Sequence, residues 1–213
     1  MALIKTKARG ISLADNFAFT GTVTGAGSNS GFRFIKKVQI TTSNSIFDLT
    51  NLFSANYNHY KLIWDIVGED TGDNDTSHAF QFLKASDGTV DTAGDINYAY
   101  HGTDSQGSAR SGNVENASHF NFNYNTVEDG RPAYYEMSVF APFASEYTAV
   151  NALMTYMVNA DVDTTTSNGS AMRDNTTSYS GMRLVLTSAN TSITPDSGSS
   201  ATGTLLVYGM AES

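Results

Sequence analysis

Cysteine is missing from all 213 residues of the chain. Disulfide frameworks and thiolate metal sites are therefore excluded, and stability must come from packing, hydrogen bonding or contacts between chains. No apolar run reaches the ~18 residues that a membrane-spanning helix needs, so no membrane partner is expected. The opening residues, MALIKTKARGISLADNF, lack the apolar core of a secretory signal, and synthesis in a cytoplasm is expected. Basic residues are scarce: 12 Lys and Arg stand against 21 Asp and Glu, giving a net charge of −9. An acidic body with no basic stripe repels phosphate, so nucleic acid is not an expected partner either. Heptads, collagen-like triplets and fixed-period repeats, the signals of a fibrous shaft, are also lacking.

The few cations are unevenly placed. Residues 1–40 hold Lys5, Lys7, Arg9, Arg33, Lys36 and Lys37 against Asp15 alone. The rest of the chain carries all of the net negative charge and more. A basic leader thus precedes an acidic body, an arrangement suited to docking the leader on an acidic protein surface. Within the leader, NFAFTGTV is a short alternating segment, followed by the Gly/Ser-rich GAGSNSG. This composition divides the chain into an extended N-terminal arm, residues 1–31, and a folded body, residues 32–213.

What the body has in abundance is strand pattern. FRFIKKVQITT (32–42), SIFDL (45–49), HYKLIWDIV (59–67), SHAFQFLKA (77–85), INYAYHG (96–102), AYYEMSVFAPF (133–143), TAVNALMTYMV (148–158), MRLVLTS (182–188) and GTLLVYGM (203–210) are apolar or alternate with period two. HYKLIWDIV reads as a central strand, buried on its Leu62, Trp64 and Ile66 face. Phe120, Phe122 and Tyr124 alternate with His119, Asn121, Asn123 and Asn125, which predicts a strand with one aromatic and one polar face. TNLFSANYNHY (50–60) has room for one helical turn, with Leu52, Phe53 and Tyr57 on one side. Clusters such as GTDSQGSARSGN and DVDTTTSNGS read as loops. Eight or nine strands separated by such loops predict an all-β fold, an antiparallel β-sandwich.

The densest cluster of chemistry is GEDTGDNDTSHAFQF (68–82), with Glu69, Asp70, Asp73 and Asp75 inside seven residues. Calcium takes six to eight oxygen ligands. Asp70, Asp73 and Asp75 offer three, but the EF-hand pattern fails, and Lys84 stands where its bidentate glutamate belongs. An acidic turn that keeps a strand-rich surface soluble explains the cluster better. His59, His78, His101 and His119 are scattered, with neither HxH nor HExxH spacing, and read as surface or strand-end residues; His78 and His119 each open an alternating run and could meet across a sheet. No GxSxG elbow marks a serine nucleophile, and GAGSNSG lacks the GK[ST] ending of a phosphate loop. The expectation is therefore no catalytic residue, no cofactor and no metal. Tyr98 and Tyr100 share one face of INYAYHG and, with the Asp70, Asp73 and Asp75 loop, form a candidate surface for stacking on a sugar. Ordinary cross-strand packing competes with that reading.

Two stretches carry a resemblance. SIFDLTNLFSANYNHYKLIWDIV (45–67) and GTLLVYGMA (203–211) resemble segments of structural proteins of tailed bacteriophages, marine ones especially, through Tyr57, Tyr60, Lys61, Tyr208 and Gly209. The opening 27 residues resemble the attachment leader of phage fibre and decoration proteins. The resemblance implies a non-enzymatic virion component with a jelly-roll-like sandwich, often a homotrimer, held through Lys5, Lys7, Arg9, Phe17 and Phe19. A capsid decoration (cement) protein bound to the major capsid protein is the first expectation. A head or tail fibre module, bound to a tail hub protein and recognising a host surface glycan, is the alternative.

Overall fold

The computed structural model describes residues 31–42, 44–70, 76–123, 126–158, 163–187, 195–196 and 198–211. These residues form strands and connections with no helix. The strands are β1 (Gly31–Thr42), β2 (Ile46–Leu49), β3 (His59–Asp70), β4 (Ser77–Lys84), β5 (Ile96–Asp104), β6 (Ala109–Ala117), β7 (Pro132–Phe140), β8 (Ala149–Val158), β9 (Asp163–Arg173), β10 (Tyr179–Thr187) and β11 (Ser199–Ala211). Every ladder between them is antiparallel. They build an eight-stranded sheet in the order β1-β11-β3-β7-β8-β9-β5-β6 and a three-stranded sheet, β2-β10-β4. The fold is the antiparallel β-sandwich that the period-two pattern predicts.

The larger sheet follows from alternation. β7 and β8 bury every second residue, and β3 turns Tyr60, Leu62, Trp64 and Ile66 inward. Trp64 packs edge-on against Phe80 of the smaller sheet, joining the layers at the centre of the core. β4 behaves differently: its first seven residues are all buried. It is covered on both faces, which is why SHAFQFLK is apolar beyond simple alternation.

The cover on β4 comes from a segment that sequence pattern misassigns. Residues 119–123 are not a strand. The backbone groups of Phe120 pair with those of Phe80 in one isolated bridge, and Thr76 pairs with Val127 in another. Between them the Asn121 side chain replaces a ladder. Its oxygen accepts the Asn123 amide at 2.8 Å, and its nitrogen donates to Ser77 Oγ at 2.7 Å. The expected polar face is also wrong, since Asn121 and Asn123 are buried as deeply as Phe120 and Phe122, and His119 is buried too.

Two further corrections concern strands. GTDSQGSARSGN and DVDTTTSNGS contain most of β6 and most of β9, so the body has more strands than the eight or nine expected. β9 is polar on its inner side, with Thr165 and Ser167 buried. At Gly169 a Cβ would lie 2.3 Å from a ring carbon of Phe122; a hydrogen at this position lets the 119–123 segment press onto the sheet. The helical turn expected in 50–60 does not form either. Leu52 and Phe53 are buried, and both their amides donate to the Ser180 carbonyl, at 2.8 and 3.1 Å.

The two stretches that carry the family resemblance meet in space. Gly209 is paired with Tyr60 and Tyr208 with Lys61 on adjacent strands. The Tyr57 ring lies against Gly209, where a Cβ would come within 2.5 Å of it. Tyr60 donates its hydroxyl hydrogen to the Ser54 carbonyl at 2.8 Å and packs edge-on against Tyr57 and Phe53. These residues build one corner of the sandwich.

Candidate functional site

All of the residues singled out for attachment, Lys5, Lys7, Arg9, Phe17 and Phe19, lie outside the described residues, as do Asp73 and Asp75 of the acidic loop. Asp70 closes β3. Tyr98 is not open to stack on a sugar. Tyr98 is buried against His119 and Phe122, and Tyr100 is half-buried and packs on the same core. Two tyrosines on one strand face do share surroundings, but that face is the inner one.

The histidines separate rather than converge. His101 is exposed on β5, while His59 stacks on Phe140 at 4.3 Å between ring centres. His78 and His119 are buried, contrary to the surface placement expected of them. His78 Nδ1 lies 2.5 Å from the Tyr135 hydroxyl, which also donates to Asn123 Oδ1 at 3.3 Å. Burial lowers the His78 pKa to about 3 and raises that of Tyr135 well above its ordinary value. His78 is thus a neutral core residue at ordinary pH. Among the described residues no group of three or more His, Asp or Glu side chains is placed to hold a metal ion.

A buried charged cluster sits at the end of β9. Arg173 reaches Asp91 at 2.8 Å and Asp95 at 2.6 Å. Tyr179 donates its hydroxyl hydrogen to Asp91 at 3.0 Å, and the guanidinium lies over the Tyr179 ring, 5.3 Å from its centre. Asn175 bonds to the other oxygen of Asp95. The one guanidinium faces both carboxylates, so the cluster anchors the 85–95 loop to the sheet.

The surface with unspent chemistry is the outer face of the eight-stranded sheet. Register places Phe32, Met210, His59, Phe140, Ala149 and Met172 in one lateral row across β1, β11, β3, β7, β8 and β9. Phe34 and Tyr208 extend the band into the next row and meet edge to edge at 5.7 Å. Phe34 is 58 % exposed and Met172 55 %. An apolar band of this size is unusual on a free sheet face.

Beside the band, toward β5 and β6, the rows change character. The second row continues as Asn151, Ser170, Ala99 and Asn113. The third brings Asn168, His101 and Ser111 alongside. The small residues of the middle row leave two adjoining shallow depressions of about 480 Å³ each. Among the described residues, Glu115 is the one carboxylate on their lining and His101 the one imidazole, with no lysine or arginine beside them. Sequence reasoning passed over this groove because half of it sits on strands read as loops. Its signal was a single asparagine in each of INYAYHG, TAVNALMTYMV and TTTSNGS, which falls on the outer face in every case.

No protein-family model, curated protein or solved structure matches this chain.

Proposed function

We propose that the chain is a non-enzymatic structural protein of a phage virion, placed on the particle exterior as a capsid decoration protein. The observation that carries this reading is the apolar band. It begins at Phe32 and Phe34 on β1, the strand entered directly from the basic leader, and runs across the sheet to Met172. Exposed rings at the point where the leader joins the body suit a subunit that is seated against a shell and against copies of itself. In this reading residues 1–31 contribute the attachment. Lys5, Lys7 and Arg9 meet acidic shell surface, and Phe17 and Phe19 fill pockets beside an added strand. If those two rings bury ~300 Å², the gross gain is roughly 7 kcal/mol at ~25 cal/mol/Å². Ordering the leader, at about 1 kcal/mol or more per residue, offsets much of it. One copy then binds weakly and a homotrimer binds well through effective concentration.

The lining of the outer-face groove supports the non-catalytic part of the proposal. Glycoside hydrolysis generally needs a pair of carboxyl groups flanking the bond, and the groove lining offers Glu115 alone. The same groove favours the second reading, a head or tail fibre module that contacts a host glycan.

Deletion of residues 1–31 tests the proposal. The truncated chain is expected to keep the strand signature of the body and to be missing from purified particles. Truncated protein on particles at normal occupancy overturns it.

A further inference from the structure

We infer that the outer face of β8, β9, β5 and β6 is a binding site for a neutral oligosaccharide. The inference deepens the glycan-contact reading of this groove by naming the ligand class; it rests on the lining of the groove and is independent of the capsid assignment. Its core is the crossing of two rows: Asn151, Ser170 and Ala99 in one, Asn168 and His101 in the next. All five are exposed.

Three features define the ligand class. First, the groups are amides and hydroxyls. Each carboxamide offers both a donor pair and an acceptor, which is what vicinal sugar hydroxyls require. The side chains of Asn113, Asn151, Asn168 and Ser170 make no hydrogen bond to other described residues, so their capacity is free for a ligand. Asn97 differs: its oxygen already accepts the Asn116 amide at 2.9 Å, and it frames the site. Second, the lining has almost no charge. Without an arginine or lysine it cannot discriminate for phosphate, sulfate or uronate, and the acidic body repels them. Third, one margin is apolar. Ala149 and Met172 of the neighbouring row border the amides, so the C–H face of a sugar ring meets methylene and thioether while its hydroxyls meet carboxamides.

The ordinary alternative is a solvated sheet face. Asparagine argues against it. Asn is depleted in strands because its side chain competes for backbone groups, and an exposed strand position is better filled by threonine or valine. Yet Asn113, Asn151 and Asn168 occupy outward positions on three strands. Local propensity is given up in one place, across neighbouring strands, which is the mark of a functional surface rather than of folding.

The test uses the full-length chain on an array of immobilised neutral and acidic oligosaccharides, followed by calorimetric titration with the best neutral hit. Binding to neutral glycans is expected, with little change between 50 and 500 mM salt. Asn151→Thr and Asn168→Thr should each weaken binding about tenfold, the cost of one or two lost hydrogen bonds, while thermal stability holds or rises. Ala99→Tyr, which fills the floor, should abolish binding in a protein that still melts cooperatively. Absence of any neutral hit, binding confined to acidic glycans and lost in salt, or affinity untouched by all three variants would overturn the inference. A glycan binder missing from particles would keep this inference and sink the virion proposal, and the converse result would do the reverse.

Discussion

Replacing Arg173 by methionine probes the most tightly balanced part of the molecule. Arg173 is 1 % exposed and Asp91 6 %. The side chain contacts Asp91, Asp95 and the face of Tyr179. Methionine keeps most of the volume, so the cavity contribution is small and the effect is electrostatic. Breaking a buried pair by removing one partner costs about 3–5 kcal/mol, because the other charge is left without compensation. With a urea m-value of about 2.5 kcal/mol/M, the unfolding midpoint of the full chain should fall by roughly 1.5 M. The charge can also be removed another way. Adding Asp91→Asn to Arg173→Met should recover a clear part of the loss at pH 7, since the amide still accepts from Tyr179. Urea titration followed by tryptophan fluorescence, with Trp64 as the sole reporter, measures all of this. A cost below 1 kcal/mol at pH 7, or one that Asp91→Asn leaves unchanged, would refute the reasoning.

Acid should destabilise the fold through the buried His78 and His119 and the half-buried His59. The folded-state pKa of His78 is about 3 and those of His59 and His119 are also lowered, all through burial. The unfolded chain takes up these protons near pH 6.5 and the folded chain does not. Stability is therefore whole above pH 6.5 and is lost as pH falls from there toward 3, at about 1.4 kcal/mol per pH unit for His78 alone; a urea midpoint that does not move between pH 7 and 4.5 would contradict this. The apolar band should govern self-association. Phe34→Ser with Phe140→Ser is expected to weaken it at least tenfold, read by sedimentation velocity, with little change in melting temperature because both rings are exposed, and an unchanged sedimentation coefficient distribution would count against the band as an interface.

How much of this was legible depended on where the apolar residues fall. Strands that bury alternate hydrophobic residues, such as β3, β7 and β8, declare themselves. β9 does not, because its inward positions begin with Thr165, Ser167 and a glycine under Phe122 and reach an apolar side chain only at Ala171. The 119–123 segment fails in the opposite sense. Its alternation is regular, but Asn121 bonds to Asn123 and Ser77 in place of a neighbouring strand. The outer-face groove was hidden because it exists only in register. Asn151, Ser170 and Ala99 are far apart in sequence and lie side by side only once β8, β9 and β5 pair. Tyr98 was misjudged for a simpler reason: period two says which residues share a face, not which face is turned inward.

The proposed place of the chain on a phage particle is tested most directly by electron cryo-microscopy of purified particles of the phage proposed to encode it. The predicted result is density for the two-layered body on the outside of the particle, with the Phe32-to-Phe140 part of the band covered by a neighbouring subunit or the shell and its Met172 end open beside the groove. Particles whose exterior is fully explained by other proteins, or a body whose band faces open solvent, would contradict it.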